Sequence, residues 1–314
     1  PPPPPPPPPP LFFLMILRPP RSTLDLSSAA SDVYKRQIRP RSAELDANQD
    51  PEESFSWEII EAADKLGLRT MTLSEEHGGL GTDSLTTAMV VEELAKGDLG
   101  ISVVLAQTLK LAQIMEKALN DEQKERVLDK FIGDPRCCLA IGITEPDNAS
   151  NYFLPYPSSF RTTAEKSEGG WIVNGMKHFI SNGNRSGFYL LFVQTEKGVG
   201  LAEGSTCFLL ERDREGFTIG HVHDKMGERL ANNAELIFQD CFIPDENVVG
   251  EVGKGFSVLA KFFPQSNAYA GASITGVAEA CYAKAEEWAK IRVQGGKPLI
   301  EHDGIRAQLV RAFL

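Results

Sequence analysis

The chain has 314 residues, enough for two or three domains, and it carries 32 basic and 43 acidic side chains for a net charge of −11. This excess of negative charge argues against nucleic acid and anionic membrane surfaces as partners, since both repel an acidic protein. With 42% hydrophobic and 24% charged residues, the composition is that of a folded globular protein.

The first 37 residues do not resemble a folded segment. They begin with ten prolines. The apolar run over residues 11–17 is far shorter than the ~20 residues needed to cross a bilayer, and it lacks the basic flank of a signal peptide. We therefore expect residues 1–37 to be non-native or disordered. Five scattered cysteines without a secretion signal indicate reduced thiols and a cytoplasmic protein.

Residues 38–136 are predicted to form an N-terminal helical domain. Apolar residues recur at helical spacing from Trp57 onward. Ser84 and Asp121 are suitable N-caps for two of the helices. The apolar segment 101–115 between them is predicted to be a buried helix.

The next region, residues 137–250, has short β-type runs separated by Gly and Asn clusters. This spacing favours a central antiparallel β-barrel or sandwich domain. Helical character resumes over residues 251–314, which we interpret as a truncated C-terminal helical domain of a longer product. The predicted fold class is therefore α+β.

Histidines suggest no complete metal site. His221 and His223 would share one face of a strand, as two metal ligands could. Local spacing supplies no third ligand, so no metal is predicted.

Several motifs occur in a recognisable order along the chain. They read LSEEHGGLG at 73–81, AIGITEPDNAS at 140–150, NGMKHFISNG at 174–183 and MGERLANNAELIFQDCFIP at 226–244. In sequence and spacing the chain resembles the acyl-CoA dehydrogenase family over residues 55–314. The resemblance implies an FAD-containing homotetramer, or dimer of dimers, that oxidises acyl-CoA thioesters. In that family a carboxylate takes the α-proton and flavin N5 takes the β-hydrogen as hydride, and the resemblance implies electron-transfer flavoprotein or a similar acceptor as the partner that reoxidises the enzyme.

The resemblance also implies which residues bind the cofactor. Ile141, Ile143 and Thr144 occupy the segment that faces the flavin in the family, and Ser150 would contact FAD or the CoA part of the substrate. Phe179 stands where the family usually has Trp and would cover a flavin face, with the hydroxyl of Ser181 able to reach flavin N5.

A second group of implied cofactor residues lies near the C-terminal end. Arg292 matches an arginine that reaches the FAD pyrophosphate of a neighbouring subunit. Gln294 and His302 belong to the same implied site. The motif departs from the family at Gly295, where the family has Phe.

No general base is assignable in this chain. Ser266 and Asn267 occupy the position where a minority of the family carry the catalytic glutamate, and neither can act as a carboxylate base. We therefore expect this fragment to be inactive.

Three other functions remain open. They are an acyl-CoA oxidase, a non-catalytic flavin-binding stress protein, and a flavin-free scaffold of the same fold. The acyl pocket floor is expected between residues 101–109 and 263–270, where Gln107 and Tyr269 add some polarity, but the length of the acyl chain cannot be inferred.

Overall fold

The computed structural model describes residues 22–149 and 158–314. Its N-terminal part is helical, with a π-helix at Tyr34–Ile38, a 3₁₀ turn at Glu75–His77 and six α-helices: α1 Thr23–Val33, α2 Arg39–Asp46, α3 Trp57–Lys65, α4 Ser84–Ala95, α5 Leu99–Ala118 and α6 Asp121–Gly133.

The first helix corrects the expectation for residues 1–37. From Thr23 onward the chain is folded, and Leu26, Ala29, Ala30 and Val33 of α1 are buried in one core with α3, α4 and α5. Their spacing places them along one helix face, and burial of that face stabilises the helix against α4. Residues 1–21 lie outside the described part of the chain.

Helix caps lie one residue before the predicted ones. Asp83, rather than Ser84, caps α4 by accepting a hydrogen bond from the backbone N–H of Thr86 at 2.7 Å. Asn120, rather than Asp121, caps α6 in a reciprocal capping box with Gln123. In both cases the residue before the predicted one has extended backbone geometry, as an N-cap requires.

Helix α5 is the central helix of the N-terminal part. It is long and apolar enough to cross a membrane by length and composition, but 78% of its most apolar window is buried inside the protein, as in a core helix.

The middle of the chain forms one eight-stranded sheet. The strands follow the order β6-β7-β3-β2-β4-β5-β8, and β1 pairs with β4. Their bounds are β1 Cys138–Gly142, β2 Thr163–Ser167, β3 Gly170–Ser181, β4 Ser186–Gln194, β5 Ser205–Glu211, β6 Phe217–Val222, β7 Asn233–Pro244 and β8 Val248–Val249, with a short helix α7 at Leu201–Gly204 and a 3₁₀ turn at Asp245–Asn247.

The α+β class is confirmed, with two corrections to the central domain. The sheet is not closed into a barrel. It is also not purely antiparallel, because both β1 and β2 pair with β4 in parallel. Alternate side chains of β4 and β5 face two cores. One core is shared with α5, α6 and residues 258–262 of the C-terminal part, and the other with β3, β6 and β7.

The C-terminal part begins with a 37-residue helix, α8, at Gly255–Ile291. A two-stranded hairpin, a 3₁₀ turn and a last helix follow, at β9 Val293–Gln294, β10 Lys297–Pro298, Leu299–Glu301 and α9 Asp303–Phe313. Helix α8 packs closely on α4, since a Cβ added at Gly276 would lie 2.1 Å from the carbonyl oxygen of Glu92. It also crosses α5, where the hydroxyls of Ser102 and Ser273 lie 3.0 Å apart.

Candidate functional site

The segment after β1 lies directly beside β3. The carbonyl oxygen of half-buried Thr144 accepts a hydrogen bond from the backbone N–H of His178 at 2.7 Å. Ile141 and Ile143, which precede it, are 9% and 5% exposed and point into the core, so their side chains present little surface to a ligand. Thr144 is thus held next to the residues that follow Lys177 in β3.

Phe179 is the unusual residue of this strand. Its ring is 54% exposed and its φ is +55°, a conformation that a bulky residue keeps only where its surroundings impose it. The pairing of β3 with β7 shifts register between Lys177 and Ile180, which accommodates this backbone. The ring stacks on His223 with centroids 4.3 Å apart.

Asn233, at the start of β7, joins Phe179 to Ser181. Its side-chain amide donates to the carbonyl oxygen of Phe179 at 2.9 Å and to the hydroxyl of Ser181 at 3.2 Å. Its amide oxygen accepts from Nζ of Lys225 at 2.6 Å, which fixes the orientation of the amide. These bonds link Phe179 to Ser181, and the backbone hydrogen bond between Thr144 and His178 places Thr144 beside the residue that precedes Phe179. Sequence reasoning did not identify Asn233.

A buried ion pair lies beneath this region. Nζ of Lys177 lies 2.8 Å from Glu145 and 3.1 Å from the carbonyl oxygen of Ile143. The Glu145 carboxylate also accepts the backbone N–H groups of Arg161 and Thr162 at 2.7 and 3.0 Å. Burial lowers the pKa of Lys177 to about 8 despite the paired carboxylate. Burial opposes ionisation of Glu145, but Lys177 and the N–H donors hold its pKa below the usual value.

Three side chains next to Phe179 form a candidate metal cluster. Ligand atoms of His178, His223 and Glu235 lie within 4.8 Å of one another. His178 Nε2 already hydrogen-bonds to Glu235 at 2.9 Å, while Nδ1 of His178 and Nε2 of His223 are buried without a partner. Burial and the neighbouring His178 and His221 lower the pKa of His223. Of the pair considered from the sequence, only His223 belongs to this cluster, because His221 contributes only its backbone N–H to Glu235. The other two members, His178 of β3 and Glu235 of β7, were not apparent from local spacing.

The predicted C-terminal cofactor residues lie together on the hairpin after α8. Arg292 is exposed at the end of the helix, and Nε2 of His302 lies 2.9 Å from the carbonyl oxygen of Gln294. Gly295 and Gly296 form the hairpin turn with φ of +62° and +83°, which explains the absence of Phe at position 295. Within the described residues, no hydrogen bond or ion pair joins this hairpin to β1 or β3. Ser150 lies outside the described residues.

The two positions proposed for a catalytic base lie on α8. Asn267 is exposed, and the hydroxyl of Ser266 lies 3.2 Å from Nζ of Lys110 on α5. Lys110 is only 8% exposed, and burial lowers its pKa to about 8. Sequence reasoning missed Lys110, although a single lysine within the apolar segment 101–115 was a visible signal.

An open sheet between two helical parts is the fold of the acyl-CoA dehydrogenases. Family models of the acyl-CoA dehydrogenase N-terminal, middle and C-terminal domains match residues 22–134, 140–241 and 253–312. The chain belongs to this family, whose members are FAD-dependent enzymes.

Individual relatives agree with this assignment. The short-chain specific acyl-CoA dehydrogenase of Megasphaera elsdenii is 34% identical over 91% of this chain and 73% of its own length. The structure of butyryl-CoA dehydrogenase from the same organism has a TM-score of 0.84 and 33% identity, covering 93% of this chain and 74% of that one. A structure described as the electron transferring flavoprotein of Acidaminococcus fermentans has a TM-score of 0.84 and 29% identity, over 92% and 73% of the two chains.

Proposed function

We propose that this chain forms the flavin-binding wall of an enzyme that dehydrogenates a short acyl-CoA thioester between Cα and Cβ. The observation that carries the proposal is Phe179, which is exposed at a positive φ and is held by Asn233 beside the hydroxyl of Ser181. A large exposed ring bordered by hydroxyl groups fits the apolar face and polar edge of an isoalloxazine. The short acyl group is proposed because the Megasphaera elsdenii relatives are named for short chains and for butyryl-CoA.

Each residue of this wall has a proposed role. When bound, FAD supplies the hydride acceptor. Phe179 covers one face of the ring, while Thr144 and Ser181 donate hydrogen bonds from their hydroxyls. Ile141 and Ile143 contribute backbone groups, because their side chains are buried. Ser150 is proposed to contact FAD or the CoA part of the substrate.

The hairpin after α8 is proposed to serve a second copy of the chain. Arg292 is a cation free of ion pairs in the described residues and can bind a pyrophosphate, with Gln294 and His302 beside it. A homo-oligomer, either a tetramer or a dimer of dimers, follows from this role. Exposed apolar side chains at the end of the chain support an interface there: Trp288, Ile291, Val310 and Phe313.

Proton abstraction is a separate question. Neither the hydroxyl of Ser266 nor the amide of Asn267 is a base near neutral pH. We therefore propose that the 314-residue chain binds FAD and thioester but turns over slowly at most.

Electron-transfer flavoprotein is the proposed acceptor, in line with the relative from Acidaminococcus fermentans. The five free thiols fit a cytoplasmic location.

Reconstitution with FAD tests this proposal. The purified protein should retain a flavin absorbance after gel filtration, and an acyl-CoA thioester should perturb that spectrum under anaerobic conditions. Replacing Phe179 by Ala should weaken flavin retention, whereas F242A, at an exposed position near the far end of the sheet, should not. A protein that folds but never retains flavin contradicts the proposal. Rapid reoxidation by O₂ after reduction would indicate an oxidase instead.

A further inference from the structure

Strands β3 and β6 both carry an extra residue opposite Glu235 of β7. On the β3 side, His178 and Phe179 together stand opposite Glu235 alone, and on the β6 side Gly220 and His221 do so. Such bulges bend a strand and redirect its side chains, and they are common next to functional sites. The sheet is therefore distorted on both sides of this one carboxylate.

The carboxylate of Glu235 lies over Gly220. A Cβ added at Gly220 would be 2.7 Å from Oε2 of Glu235, so a larger residue at this position would displace the carboxylate. Oε2 accepts the backbone N–H of His221 at 3.1 Å, and Oε1 lies 2.9 Å from Nε2 of His178. These contacts hold the carboxylate in one orientation, while its side chain stays 20% exposed and so within reach of an ion from solvent.

Two imidazoles converge on this carboxylate. The ring centres of His178 and His223 are 4.6 Å apart, and ligand atoms of these two residues and of Glu235 all lie within 4.8 Å of one another. His223 directly follows β6, where its backbone N–H donates to the carbonyl oxygen of Asn233 at 2.9 Å. The ligands of a tetrahedral ion with bonds of about 2.1 Å are roughly 3.4 Å apart. Rotation of the side chains on this fixed backbone is therefore enough to close a metal site.

Each of the two imidazoles has a nitrogen that nothing in the described residues satisfies. Nδ1 of His178 and Nε2 of His223 are shielded from solvent and have no hydrogen-bond partner there. A buried polar atom without a partner costs free energy, and a metal ion bound to His223 would remove that cost. Burial, followed by the neighbouring His178 and His221, lowers the pKa of His223, and the backbone N–H of His221 holds the pKa of Glu235 below its usual value. Both groups are therefore in the unprotonated form that a metal ion requires.

We propose that His178, His223 and Glu235 bind a Zn²⁺ ion through two imidazole nitrogens and one carboxylate oxygen, with a fourth position left for water. Nitrogen ligands suit Zn²⁺, whereas Mg²⁺ and Ca²⁺ prefer oxygen ligands throughout. Because the ring of Phe179 stacks on His223 with centroids 4.3 Å apart, the ion fixes the imidazole on which this exposed aromatic residue rests. All three ligands belong to this chain, so the site goes beyond the proposed function and does not depend on FAD.

Isothermal titration of Zn²⁺ into the full chain, without an affinity tag and stripped of metal by EDTA, tests the site. One ion per chain should bind, with a dissociation constant on the order of 1 μM or lower. H223A and E235Q should each raise this constant by about tenfold or more, and E235Q does so without changing the shape of the side chain. The controls are H221A, at an exposed histidine next to the cluster, and C281S, at an exposed thiol. Both should bind zinc within about threefold of the unmodified protein.

Thermal unfolding shows that the variants are folded and gives a second readout. Saturating Zn²⁺ should raise the melting temperature of the unmodified protein and of H221A, but not that of H223A or E235Q, because an ion that binds only the native state stabilises it. If the folded protein binds no zinc, or if E235Q binds it as tightly as the unmodified protein, the site is wrong. If H221A or C281S loses zinc as completely as H223A, the ion binds exposed imidazoles or thiols instead, and the proposal is overturned.

Discussion

Nζ of Lys177 lies 2.8 Å from Oε1 of Glu145, and the two side chains are 0% and 1% exposed. This pair ties the segment after β1 to β3, next to the hydrogen bond between the carbonyl oxygen of Thr144 and the backbone N–H of His178. Because Glu145 also accepts two backbone N–H groups, its negative charge is fully compensated. The geometry of the candidate flavin wall therefore depends on a buried electrostatic contact as well as on apolar packing.

Removing one partner of this pair should destabilise the protein strongly. K177M leaves the Glu145 carboxylate buried without its counter-ion, and the expected loss is about 3–5 kcal/mol in the free energy of unfolding. Urea denaturation followed by circular dichroism measures it. The matched control is K197M, which breaks the exposed pair of Lys197 and Glu165 and should cost less than about 1 kcal/mol. Equal losses in the two variants would contradict the structural role of Lys177.

Asn233 should matter for FAD more than for folding. N233A removes the amide that bonds both Phe179 and Ser181, so the FAD dissociation constant should rise about tenfold, equivalent to ~1.4 kcal/mol. Fluorescence titration with FAD measures it. N174A removes a similar amide from the opposite end of β3, where Asn174 bonds Asp240, and should leave FAD binding unchanged. A similar loss in both variants would show that Asn233 acts through general strand stability.

Substitution of Phe179 should separate flavin packing from stability. The ring is largely exposed in the absence of FAD, so F179A should change the free energy of unfolding by less than about 1 kcal/mol while weakening FAD binding. F179W, which has a larger ring, should bind FAD at least as tightly as the unmodified protein. Parallel FAD titrations and urea curves test this. Unchanged FAD affinity in F179A would remove the main support for the proposed site.

Two glycines of the C-terminal part should respond in opposite directions to alanine. Gly295 has φ of +62° and its added Cβ would lie 3.3 Å from the His302 ring, so G295A should destabilise the hairpin by roughly 1 kcal/mol. Gly271 lies within α8 with open space around it, so G271A should stabilise the helix by up to about 1 kcal/mol. Thermal unfolding of both variants measures the difference.

Lys110 should give stability a specific pH dependence. Burial lowers its pKa from 10.5 to about 8, so between these pH values the unfolded chain binds more protons than the native one. The contribution of Lys110 to stability is therefore fully present above pH 10.5 and is lost as pH falls to 8, a change of about 3 kcal/mol. Lys177 contributes a slope of the same sign. Subtracting the K110M curve isolates Lys110, and coincident slopes would contradict the lowered pKa of Lys110.

Local sequence patterns anticipated much of the fold. The helical periodicity around Trp57 corresponds to α3, which buries one apolar face. The apolar segment 101–115 lies in α5, which is buried on nearly all sides. The same reasoning failed before residue 38. Leu26 and Val33 are buried, but the low-complexity sequence ahead of them concealed the short amphipathic stretch. The open, partly parallel sheet also escaped prediction, since strand spacing does not reveal which strands pair.

The sequence by itself determined the class of protein. Motifs such as those at 140–150 and 174–183 resemble those of the family in sequence, order and spacing, because the local backbone that holds a cofactor restricts which residues can stand there. Only the tertiary structure decided which charged and polar side chains meet. Lys110 and Ser266 are 156 residues apart in the chain, and Lys177 and Glu145 are 32 apart. Such contacts depend on how helices and strands pack and on how far they exclude water, and neither the packing nor the resulting cost of a buried charge can be inferred from neighbouring residues in the sequence.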